Sequence, residues 1–257
     1  SCWFARASLL FFILSTAGPF SLGYLMANGL GQSQWYYFSI YYYLHFQYNG
    51  FFLFGVFSLF FQLLEEKQIA FDTQKAKGIG YWMAVACVPA YLLSVLWANP
   101  GILFNIIAGV AGLMQCIALV LSFYFVRRIP IQIYFSKTAF FCFAIGYLAF
   151  SLKVVLQLFS ALQPVAAFAY QFRPIVIAYL HLVLIGIISV LMLGWYLEKN
   201  FIKPKLASKS LVAFIITFTG TQIGLVLQPW WHEIHGFIFL TSSQFLVLFS
   251  ALLSISC

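Results

Sequence analysis

The sequence predicts an all-α fold, a polytopic transmembrane helix bundle of about eight helices. Three observations lead there. Of 257 residues, 64% are hydrophobic and only 7% are charged, whereas a soluble domain carries roughly 25% charged residues. The apolar residues fall in long unbroken runs, each near the roughly 20 residues that a helix needs to cross a hydrocarbon core of about 30 Å. Barrel strands would instead show short alternating segments. Lysine and arginine gather between the runs, where positive charge sets topology.

Taken in order, the expected spans are 3–27, 36–64, 79–98, 102–126, 137–160, 174–197, 210–228 and 236–256. Arg6 stands at the head of the first. Lys67, Lys75 and Lys77 lie between the second and third, in the one long connection, Glu65 to Gly78. Arg127, Arg128 and Lys137 separate the fourth from the fifth, and Lys199, Lys203, Lys205 and Lys209 the sixth from the seventh. With eight spans these eleven cations share one side, Arg173 alone lies on the other, and Lys153 is inside a span. That asymmetry places both termini in the cytoplasm. No separate soluble domain is expected, so residues 1–257 form a single transmembrane domain. Ser1 in place of Met, and an end inside an apolar run, leave open that the chain is a piece of a longer protein.

The net charge of +8 is a topology signal and does not point to nucleic acid. The five cysteines, Cys2, Cys87, Cys116, Cys142 and Cys257, have no disulfide or metal spacing and read as small hydrophobes. No phosphate-binding glycine loop, Cys-x-x-Cys-His or hydrolase pattern occurs. All five acids lie in connections or at span edges, which disfavours a classical proton-coupled carrier.

The chain reads as internally duplicated, with halves 1–130 and 131–257 as two parallel four-helix repeats. Tyr43-Leu44-His45 is followed by Gly50, and Tyr179-Leu180-His181 by Gly186. Each motif falls in the second helix of its half. Both helices run inward, so His45 and His181 lie roughly 10–14 Å below the outer boundary at a rise of 1.5 Å per residue. Two imidazoles at matching depth can clamp a haem b from both faces. The alternative assignment is a polar interhelical contact to Tyr or Gln. Asn49 lies one turn from His45 on the same face, and Gln47 on another. Arg173 is the first candidate partner for haem propionates and Lys153, with Gln157 beside it, the second. Otherwise Arg173 is an interfacial anchor and Lys153 snorkels to the headgroups. Gly50 and Gly186 fit close helix packing. In Pro229-Trp230-Trp231-His232-Glu233-Ile234-His235, the tryptophans suit an interfacial belt, and His235 is a further candidate iron ligand.

The segments Tyr43-Leu44-His45-Phe46-Gln47-Tyr48-Asn49-Gly50 and Ala178-Tyr179-Leu180-His181-Leu182 resemble the His-bearing helices of the haem–copper oxidase subunit I superfamily. The likeness is to divergent bacterial members related to nitric oxide reductase and to small haem-binding membrane proteins. It covers mainly those two helices. It implies an all-helical haem protein with His45 and His181 at axial-ligand positions. The pattern departs from that family in having four histidines instead of about six, with no His-x-His or His-His pair. A binuclear copper centre is therefore not expected, nor an autonomous oxidase. The expected function is a membrane-embedded b-type haem protein of respiratory or nitric-oxide-related electron transport, meeting quinol, a cytochrome or other respiratory subunits. The alternatives are a haem-free small-solute transporter and a structural subunit of a membrane complex.

Overall fold

The computed structural model describes residues 1–202, 204–231 and 242–256. Among these residues every regular element is a helix. The order is α1 (Cys2–Ser15), α2 (Ala17–Ala27), α3 (Gln34–His45), a π-helical segment (Phe46–Phe52), α4 (Leu53–Glu66) and α5 (Thr73–Ala90). Two short 3₁₀ turns (Tyr91–Ser94, Leu96–Ala98) lead to α6 (Ile102–Val126) and α7 (Ile131–Tyr134). Then come α8 (Lys137–Phe159), α9 (Gln163–Gln171), α10 (Arg173–His181), a second π-helical segment (Leu182–Ser189), α11 (Val190–Glu198), α12 (Pro204–Leu227) and α13 (Ser242–Ser256).

Seven of these stretches are long and apolar enough to span a bilayer: Cys2–Ala27, Gln34–Glu66, Thr73–Ala98, Ile102–Val126, Lys137–Phe159, Arg173–Glu198 and Ser210–Trp230. They coincide with the first seven expected spans. The eighth, 236–256, lies partly outside the described residues, and α13 is its described part.

Three local departures have physical causes. The first span is two helices joined at Thr16. Pro19 has no N–H, so the Ser15 carbonyl finds no helical donor. Gly18 then lets α2 lie directly on α3, where a Cβ would come within 2.7 Å of Ser39 O. The third span begins at Thr73, because Asp72 caps the helix by accepting from Lys75 N–H at 3.0 Å. The long connection shrinks accordingly. The connection after α8 carries α9, tied down where Gln163 donates to Leu96 O at 3.0 Å and accepts from Asn105 at 3.2 Å.

The chain forms two compact units: Ser1–Tyr134 with Ser151–Ala167, and Phe135–Phe150 with Phe168–Cys257. In the first, α1 packs along the π segment and α4, with Phe4 stacked on Phe61 at 4.6 Å. The α5–α6 contact is built on the fully buried alanines Ala86, Ala90, Ala108 and Ala111, whose small side chains let backbones approach where lipid supplies no hydrophobic drive. In the second unit α12 meets α13 through Gly220 and Gly224, which face Phe249 and Phe245.

Two segments follow the same local course. In each, an α-helix ends at a histidine, becomes π-helical, and resumes as an α-helix ending in Glu-Lys. Lys67 and Lys199 close them with near-identical backbone angles (φ −80°, ψ 3° and φ −82°, ψ 1°). Gln68 and Asn200 follow at φ 54° and 59°. In the second, Glu198 accepts from Ser136 N–H at 2.6 Å, at the head of α8, where the helix dipole favours negative charge.

Candidate functional site: a buried polar centre

The first unit gathers its polar side chains around His45. The imidazole is 3% exposed and sits where α3 passes into the π segment. Its Nε2 lies 2.9 Å from the Cys87 carbonyl. That carbonyl is free for a reason written in α5. Pro89 interrupts the helix, and the chain tightens into 3₁₀ geometry. Tyr91 N–H then turns to Val88 O, so Cys87 O loses its helical donor. A carbonyl can only accept, so Nε2 must carry the proton and Nδ1 must accept. Asn49 supplies the donor, its Nδ2 lying 3.2 Å from Nδ1, with Ser94 Oγ 3.5 Å away. This fixes the Asn49 amide, whose Oδ1 points away and has no hydrogen-bond partner. The rings of Phe46 and Tyr91 flank the imidazole at 5.1 and 6.0 Å.

The π segment makes this arrangement possible. Its i→i+5 bonding widens the helix, and the neighbouring α1 satisfies what that disturbs. Ser8 Oγ donates to Phe51 O at 2.7 Å, and Gln47 donates to Ser15 Oγ at 2.9 Å. Gly50 is required by the close approach of α1, since a Cβ there would fall 2.5 Å from Phe11 Cβ.

Lys153 belongs to the same centre. Its side chain is 2% exposed, so it does not snorkel to the headgroups. It lies within electrostatic range of His45, Cys87 and Cys116. Among the described residues no carboxylate pairs with it. Gln157, one turn along α8, and Gln115 on α6 are buried, and each has an unpartnered amide oxygen. Gly112, one turn before Gln115, lies against Leu158 of α8, 3.0 Å from where a Cβ would be.

Of the residues singled out in the sequence, His45, Asn49 and Lys153 come together in the first unit. His181 is half-buried at the matching junction of the second unit, and Arg173 is exposed at the head of α10. His232 and His235 lie outside the described residues. Among the described residues no three His, Cys, Asp or Glu side chains gather as a metal-ligand set. As bonded here, His45 has both ring nitrogens engaged by protein, and an axial bond to haem iron would require Nε2 to leave Cys87 O. Cys87 O, Ser94 and Gln115 were not singled out as partners in the sequence. Cys87 O has no direct signal, because the donor that Pro89 removes is the one for Val85 O; an amide in an otherwise apolar run is the signal for Gln115.

No family model, curated protein or solved structure matches this chain. The likeness to the oxidase helices rests on the two His-bearing segments alone.

Proposed function

We propose that this chain is a membrane transport protein that passes a small polar solute through the polar centre of its first unit. The supporting observation is Lys153. An ammonium group inside a membrane span is costly, and such residues are by default candidates for a functional pathway. Lys153, His45, Asn49, Gln115 and Gln157 all belong to the first unit, and each is at least nine-tenths buried. Packing alone has no use for unpartnered amide oxygens, each of which carries a desolvation cost. In this reading the protein sits in a bacterial inner membrane with both termini in the cytoplasm. The test is swelling of proteoliposomes in a panel of small anionic, cationic and neutral solutes. Uptake of at least one solute, lowered about tenfold or more by Lys153→Met, is expected. Permeability equal to that of empty liposomes for every solute would overturn the reading.

A second reading, the b-type haem protein of electron transport, is favoured by the repeated passage from α to π helix at His45 and His181. Its test is the absorption spectrum of the dithionite-reduced protein. A Soret band with sharp α and β bands, lost in both His45→Ala and His181→Ala, supports it. A colourless protein removes it.

A further inference from the structure

We infer that the buried centre around Lys153 binds a small inorganic monoanion, a deeper statement of the transport reading on which it rests. The sign follows from the side chains present. Lys153 is buried, and among the described residues the acids stand at span ends or in connections: Glu65, Glu66, Asp72 and Glu198. A counter-charge stabilises a lone buried ammonium, and no side chain of the first unit supplies one.

Donors come from the amides. Gln115 and Gln157 present oxygens without partners. A half-turn of either amide replaces that oxygen with an NH₂ group, which donates. Gln157 lies one turn from Lys153 on the same face of α8, so its turned amide would donate beside the ammonium. Asn49 is excluded from this exchange, since its nitrogen is held by His45 Nδ1. His45 is excluded as well, because its one proton is committed to Cys87 O.

Size and valence follow from the same enclosure. Gln115, Gln157 and Lys153 are each at least nine-tenths buried, so a bulky solute would have to displace core. One fixed positive charge balances one negative charge, and a dianion would carry an uncompensated charge into a medium of low dielectric. The amide oxygens alone could serve a cation, but the neighbouring ammonium repels one.

The experiment uses the full chain, in detergent and in proteoliposomes, with chloride as the probe. Chloride binding is read by ³⁵Cl NMR line broadening, with nitrate as competitor and gluconate as the oversized control. Chloride efflux is read with an electrode under a potassium–valinomycin clamp. We expect broadening by the parent that nitrate removes and gluconate does not. Lys153→Met should weaken binding about tenfold or more, Lys153→Arg should retain it, and Gln157→Leu should weaken it several-fold. Circular dichroism and a single elution peak establish folding, and Gln157→Leu carries the test if Lys153→Met does not fold. Parent protein without broadening, or variants equal to the parent, overturns the anion site. Binding without efflux supports the site and removes the transport reading. Flux of a neutral solute that chloride does not inhibit but that Lys153→Met lowers overturns the site and leaves the transport reading standing.

Discussion

Replacing Lys153 by methionine should make the protein more stable. The two side chains are similar in length, so the substitution leaves little cavity and changes mainly the polar end. In the parent that end is buried at 2% exposure without a carboxylate partner among the described residues. A lysine at a helix centre costs about 2.5–3.5 kcal/mol on insertion scales. A net gain of about 2 kcal/mol is expected, which for a chain of this size raises the melting temperature by roughly 4–8 °C. The assay is thermal unfolding of the detergent-solubilised protein in gluconate buffer free of chloride and nitrate. Added chloride should then stabilise the parent, by about 1.4 kcal/mol at ten times its Kd, and leave the variant unmoved. A variant that melts below its parent in the anion-free buffer would refute the reasoning, because the ammonium would then be held by partners worth more than its desolvation.

Three further outcomes are expected. Gly50→Ala should destabilise by about 1–3 kcal/mol through overpacking against Phe11, and Phe11→Ala in the same chain should return part of that loss, as measured by chemical unfolding. Asp72 has its carboxyl held below the ordinary range of about 4 by hydrogen bonds from the Lys75 side chain and backbone. A depressed folded-state value adds stability above the unfolded one and loses it as pH falls through the folded value, so Asp72→Asn should flatten the acid limb of the stability profile below about pH 4. A cysteine at Thr73 should react with an impermeant thiol reagent only after the cells are opened, and labelling of intact cells would reverse the proposed orientation.

The spans were legible because hydropathy over some twenty residues is a strong signal. Finer features were hidden because they turn on backbone bonding. A run such as Phe46–Phe52 has the same composition whether its bonds are i→i+4 or i→i+5, so neither π segment could be read. The break at Thr16 had a visible cause in Pro19, yet the apolar run continues across it. Within the centre, His45 and Asn49 were legible as an i, i+4 pair. Lys153 was less so. Its distance from the helix end suits snorkelling, and only the packing around α8 shows the side chain enclosed. The Cys87 carbonyl is a main-chain group that side-chain patterns do not describe, and it is freed by the 3₁₀ turn of Tyr91 N–H to Val88 O.

The central claim is that a positive charge at position 153 carries the function. Chemical restoration of that charge tests it most directly. In a chain whose native cysteines are replaced, Lys153→Cys should lose chloride efflux from proteoliposomes. Treatment with methanethiosulfonate-ethylammonium, which rebuilds a cationic side chain at that position, should restore most of it, and the neutral methyl reagent should not. Full efflux from the untreated Lys153→Cys protein, or equal recovery with the neutral reagent, would contradict the account.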